Sequence, residues 1–210
     1  MPRKGRGTLE RRVGSREPKK RVIVVCEGEK TEPDYLRQLS RLTRTALVHL
    51  EIVDSTHTAP KQLVEVACEE VKILAKEAKR TRDKAARNDE VWCVFDVDQH
   101  PLIPEALQQA EANGVHVALS NPCIELWFLL HFADCTSYLE RDAARRKLTA
   151  ELGQYNKGAF DLSPFLDRFQ EARDRAVRLD TKHHGDETTF PDNNPSSNVW
   201  QLVETMQAAY

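Results

Sequence analysis

No uninterrupted run of about 18 apolar residues occurs anywhere in the chain, which excludes a transmembrane helix. Neither sign of charge dominates: 31 Lys and Arg face 33 Asp and Glu, for a formal net charge of -2. That balance excludes binding to nucleic acid or membrane by bulk charge alone. The five cysteines (Cys26, Cys68, Cys93, Cys123, Cys135) are odd in number and have no CxxC spacing, against both a disulfide framework and a zinc site. Reduced, buried thiols in a cytoplasmic protein are the expectation. Gly-x-x-x-x-Gly-Lys-Ser/Thr is absent, so the Gly28-Glu29-Lys30-Thr31 run is not a phosphate-binding P-loop. The opening segment lacks the apolar stretch of a secretory signal and is not expected to be one.

What remains is a chain of 210 residues, 40% hydrophobic, enough for one domain of ordinary size with a small appendage. Residues 1–20 form a basic head, poor in apolar residues and expected to be flexible. It reads either as a solubilising tail or as an arm for phosphate backbones. Residues 21–135 carry regular patterning. Val22 to Cys26 and Val91 to Phe95 are continuous apolar runs, predicting strands buried on both faces. Val48 to Val53 and Val115 to Leu119 predict two more strands. Between and after them the spacing predicts helices from Thr31, after Pro60, over Pro104 to Asn113, and over Ile124 to Phe132. This β-α-β-α-β-α-β-α order predicts a mainly parallel sheet covered on both faces. Residues 136–210 predict a helical C-terminal extension: helices over 136–152 and 161–179, a polar loop Asp180 to Asn194, and a last helix capped by Ser196 and Ser197.

Three acids end apolar strands: Glu27 after the first, and Asp96 and Asp98 after the third. Ligand sites in open parallel sheets lie beyond the strand C-terminal ends, and neighbouring strands would bring Glu27 close to Asp96. Asp96 and Asp98 share a face if the strand persists that far. Converging carboxylates repel, and a divalent cation relieves the repulsion; oxygen-only ligands favour Mg²⁺ or Mn²⁺ over zinc. The plainer alternatives are a helix cap for Glu27 and a turn for Asp-Val-Asp. Gly28 admits close approach of a phosphate, and Lys30 offers it a positive charge. Glu125, on a very apolar helix, either faces the acidic site or pairs with an arginine. His100, two residues past Asp98, could touch substrate or belong to a turn. His131 reads as a core histidine, His183-His184 as a solvated loop, and Trp92, Trp127 and Trp200 as core.

Cys-Glu-Gly-Glu-Lys-Thr-Glu-Pro (26–33), Phe-Asp-Val-Asp (95–98), Ser-Asn-Pro-Cys-Ile-Glu-Leu-Trp-Phe-Leu-Leu-His-Phe (120–132) and Asn-Pro-Ser-Ser-Asn-Val-Trp (194–200) resemble the motifs of RloB-like proteins. That family is assigned to the Toprim superfamily, whose signature is a glutamate after the first strand and a DxD after a later one. Glu27, Asp96 and Asp98 match it. The resemblance implies a Toprim-like, parallel-rich four-stranded sheet flanked by helices. It also implies Mg²⁺- or Mn²⁺-dependent chemistry on the phosphodiester bonds of RNA, such as tRNA, or DNA. RloB-like genes lie in restriction and abortive-infection loci, commonly beside an AAA-type or ABC-type ATPase, which makes such an ATPase the implied partner.

The leading expectation is therefore a nuclease effector of anti-phage abortive infection. Glu27, Asp96 and Asp98 would hold the metal, with Lys30 and Glu125 assisting catalysis and Gly28, Lys30 and His100 near the phosphate. Glu27 could instead be the general acid or base, as in topoisomerase relatives. Two alternatives stand beside it: a non-catalytic Toprim sensor regulating the ATPase, and a DxD phosphatase or glycosyltransferase. His100 at the fifth position of the Asp96 motif, where dehalogenase-type phosphatases carry Thr or Val, argues against the phosphatase. RNA against DNA and the oligomeric state, a homo-oligomer included, are left open.

Overall fold

The computed structural model describes residues 20–43, 48–53, 59–81, 88–97, 100, 102–156 and 159–207. The basic head up to residue 19 and Asp98 therefore lie outside the described residues.

Five strands form one sheet in the order β2-β1-β3-β4-β5: β1 Lys20–Cys26, β2 Val48–Val53, β3 Glu90–Asp96, β4 His116–Asn121 and β5 Ser196–Ser197. The first four are parallel, and β5 runs antiparallel to β4 through Ser120 opposite Ser197 and Asn121 opposite Ser196. A four-stranded sheet is thus corrected to five strands of mixed direction. Ser196 and Ser197 do not cap the last helix but form its preceding strand; a two-residue pairing leaves no periodicity to read. Their hydroxyls are buried, and the Ser120 and Ser197 hydroxyls are hydrogen-bonded at 2.9 Å.

Among the described residues seven helices flank the sheet: α1 Thr31–Thr43, α2 Pro60–Thr81, α3 Ile103–Ala112, α4 Ile124–Leu130, α5 Arg141–Leu152, α6 Phe169–Gly185 and α7 Val199–Gln207. A 3-10 turn over Ser163–Arg168 leads into α6. The expected helix over 136–152 begins only at Arg141, and the one over 161–179 is split and continues to Gly185. The polar composition of 180–185 masked that continuation, since Leu179 and His183 supply the buried stripe at i, i+4. His183 is accordingly buried rather than solvated, its ring nitrogens meeting the Thr188 hydroxyl at 2.8 Å and the Pro195 carbonyl at 3.0 Å.

Strand alternation divides the core in two. Ile23, Val25, Cys93, Phe95 and Val97 face α2 and α3. Val22, Val24, Trp92 and Val94 face a larger cluster built from α1, α4, α5, α6 and α7. Every residue of α4 from Ile124 to Leu130 is buried, so this helix is wrapped by the extension on its outer side. One cluster therefore runs from β1 through to Met206, joining sheet and extension. All five cysteines are free and buried. Trp92 and Trp127 are core residues, while Trp200 is half-buried beneath the Arg173 guanidinium, which lies 5.2 Å from the ring centre, inside the ~6 Å reach of such a contact. Among the described residues no helix is long and apolar enough to cross a membrane.

Candidate functional site

The strand order fixes where a ligand would bind. The chain leaves β1 toward β2 on one side and leaves β3 toward β4 on the other, so the crevice of the sheet opens at the C-terminal ends of β1 and β3. Glu27 and Asp96 stand at those two ends. The ladder continues past both strands, with the Glu27 amide donating to the Val94 carbonyl at 2.9 Å and the Val97 amide to the Ser120 carbonyl at 3.0 Å. The Asp96 amide donates to Glu27 Oε2 at 3.0 Å, which turns this carboxylate across the crevice. Glu27 Oε1 lies 3.4 Å from His100 Nε2.

Asp96 is buried, and each of its two carboxyl oxygens meets a partner. The Ile124 amide, in the first turn of α4, donates to Oδ1 at 2.8 Å, and an Arg141 guanidinium nitrogen lies 3.5 Å from Oδ2. Burial pushes the Asp96 carboxyl well above the usual carboxylate range, the Glu32, Glu125 and Glu27 carboxylates push it the same way, and Arg141 opposes them. Glu32 joins the cluster by folding over Gly28: a Cβ built on Gly28 would stand 1.9 Å from Glu32 Oε2.

Glu125 is fully buried, and both readings of it meet in one place. It belongs to the electrostatic surroundings of Asp96, and its Oε1 also lies 3.5 Å from Arg145 Nε and accepts from the Tyr155 hydroxyl at 3.5 Å. Burial, followed by the Glu125 and Glu32 charges, pushes the Tyr155 phenol upward, which keeps it a donor. Lys30 is exposed on the β1–α1 turn, where its carbonyl accepts the Asp34 amide. His131 lies in the core with its Nδ1 3.0 Å from the Trp127 carbonyl, and burial lowers it to about 4.

The fold therefore gathers Glu27, Gly28, Asp96, His100 and Glu125, and Asp98 lies outside the described residues. Glu32, Arg141, Arg145 and Tyr155 complete the cluster without having been singled out in the sequence. Arg141 and Arg145 stand at i, i+4 on α5, the one pattern that could have drawn attention to them. The carboxylates of the cluster, Glu27, Glu32, Asp96 and Glu125, offer oxygen donors, which suit a hard divalent cation. Among the described residues, however, no three His, Cys, Asp or Glu side chains are grouped to hold a metal ion.

An open, mostly parallel α/β sheet with acidic side chains across its β1–β3 crevice, lidded by a basic helix, defines the class. The chain belongs to the RloB-like protein family, whose model matches residues 22–206. Searches of curated proteins and of solved structures gave no match.

Proposed function

We propose that this RloB-like chain is a Toprim-like, divalent-metal-dependent nuclease. The observation that carries the reading is the apposition of Glu27 and Asp96 across the crevice, 69 residues apart in sequence and joined by a 3.0 Å hydrogen bond. Glu27, Asp96 and Asp98 would hold Mg²⁺ or Mn²⁺. When bound, the ion supplies charge stabilisation at the phosphate and a more acidic water.

The chain's own residues do the rest. The Ile124 and Asp96 amides fix the two carboxylates before substrate arrives, so no reorganisation is needed at the reacting centre. Glu27 would serve either as a metal ligand or instead, with His100 beside its Oε1, as the base that accepts the proton released as water adds to phosphorus. The phosphorus–oxygen bond to the leaving strand breaks, and the departing sugar oxygen takes up a proton from solvent water, to which the proton of the attacking water is returned. Lys30 reaches the phosphate from the rim. In the cell this chemistry would serve as the effector arm of an anti-phage abortive-infection system, triggered through a partner ATPase.

A second reading, a non-catalytic sensor, draws on the ion pairs of Arg141 with Asp96 and Arg145 with Glu125, which offset part of the cluster's charge without metal. Incubation of the full chain with tRNA, single-stranded RNA and plasmid DNA under Mg²⁺, Mn²⁺ or chelator separates the two, with and without the neighbouring ATPase. A nuclease cleaves only with metal, loses cleavage in Asp96→Asn, and shows a metal-linked rise in melting temperature that the same variant abolishes. Intact substrates in every arm, with the melting temperature indifferent to metal, would leave the sensor reading standing.

A further inference from the structure

Next to the acidic crevice lies an open pocket of about 740 Å³, between the C-terminal end of β4 and the start of α5. Its volume falls in the range of about 300–1,000 Å³ that small-molecule sites occupy. Two asparagines from separate sequence motifs wire its wall. Asn121 Nδ2 donates to the Pro191 carbonyl at 2.7 Å, and Asn194 Nδ2 donates to Asn121 Oδ1 at 3.2 Å. Asn194 also clasps the Leu139 backbone, accepting its amide at 2.8 Å and donating to its carbonyl at 2.9 Å. This clasp sets the positions of the residues on either side of Leu139. Tyr138 lines the pocket and is 73% exposed, the most exposed large hydrophobic side chain among the described residues. Arg141 lines the same pocket while its guanidinium reaches Asp96 at 3.5 Å, and 38% of its side chain is exposed.

From this arrangement we infer that the pocket receives one unpaired nucleotide of a single-stranded nucleic acid, its base stacked on Tyr138 and its phosphate held by Arg141 beside Asp96. The inference rests on the nuclease reading for its orientation, and it supplies the substrate class. An exposed aromatic ring stacks any base without sequence preference. A guanidinium shared between a buried carboxylate and an open pocket is suited to hand a phosphate to the crevice. The same lining argues against a duplex. Glu140, Asp142 and Asp192 are exposed carboxylates around the pocket, so Arg141 is its only cation among the described lining residues. A duplex carries a charge about every 1.7 Å along its axis and needs a basic track, which this rim does not provide.

The test is equilibrium binding of short fluorescein-labelled single-stranded RNA and DNA, and of their matching duplexes, to the full chain. Ca²⁺ replaces Mg²⁺ so that binding is read without turnover, and cleavage in Mg²⁺ is measured separately. Single strands of either sugar are expected to bind at least about tenfold more tightly than the duplexes. Tyr138→Ala and Arg141→Gln are each expected to weaken single-strand binding about tenfold with little effect on duplex binding. Should Arg141→Gln fail to fold, Tyr138→Ala decides, since so exposed a side chain contributes little to stability. Duplex binding as tight as single-strand binding, or folded variants that bind single strands like the wild type, would overturn the inference. Metal-dependent cleavage that persists alongside such a result sinks this inference alone. Single-strand binding through Tyr138 and Arg141 without cleavage in any metal sinks the nuclease reading alone.

Discussion

Glu125 is an acid in a fully buried place where charge is costly, and two forces set what its removal does. A Gln there keeps the shape and relieves repulsion on Asp96. It also strips Arg145 of its partner, but the Arg145 side chain is 40% exposed and can turn to water. The penalty of about 3–5 kcal/mol for orphaning a fully buried cation is therefore not expected. Glu125→Gln should change unfolding free energy by no more than about 1 kcal/mol while sharply lowering activity or metal affinity, as calorimetry and cleavage assays would read. A loss near the larger figure would make the pair a structural prop. Gly28 gives a second expectation. In Gly28→Ala the new methyl must expel the Glu32 carboxylate, a flexible end that can move at a cost of about 1 kcal/mol. Metal-linked stabilisation should thus fall more than intrinsic stability does. An unchanged metal response would remove Glu32 from the site.

At the level of elements, α6 and α7 meet beside a half-buried acid. Burial raises Asp180 to about 6, with the Trp200 indole opposing. Its unfolded value is about 3.9, so the folded state holds this proton more tightly. The resulting stabilisation is fully present below about pH 4 and is lost as pH rises through about 6. Asp180→Asn should flatten that part of the pH–stability curve and raise stability at neutral pH by about 1 kcal/mol, the shift being discounted for partial exposure. Chemical denaturation across this pH window checks it, and an unaltered curve would relieve Asp180 of the role. The elements themselves were unevenly legible. The four parallel strands and the helices between them stand out in sequence because continuous apolar runs and 3-4 spacing are strong signals. From them the proximity of Glu27 and Asp96 could be anticipated. β5 could not, because two serines carry no period. Arg141 and Arg145 could not either: on a helix rich in Arg and Asp they look like ordinary solvated charge, and only the wrapping of α4 by α5 turns them inward. Glu32 draws no attention in sequence, because an acid in the first turn of a helix is ordinary complement to the helix dipole.

The larger core cluster ties the sheet and the C-terminal helices into one cooperative unit. That cluster holds residues of β1, α1, α4, α5, α6 and α7 together. A chain ending at residue 135 would expose the outer side of α4, with Trp127 and Phe128, now wholly buried, opened to water. Losing such burial costs several kcal/mol for each large side chain, against a total stability of about 5–15 kcal/mol. The truncated chain should therefore lack a cooperative thermal transition and bind hydrophobic dye. A sharply melting 1–135 fragment would show that the sheet stands alone. The strand order also bears on the moment of synthesis. Glu27, Asp96 and Glu125 leave the ribosome well before Arg141, Arg145, Tyr155 and the β5 serines that close the sheet edge. A half-made chain thus owns the acids but not the helix that shields and balances them. Whatever this crevice does to its ligand, its acids acquire their basic partners only once α5 and β5 have been made.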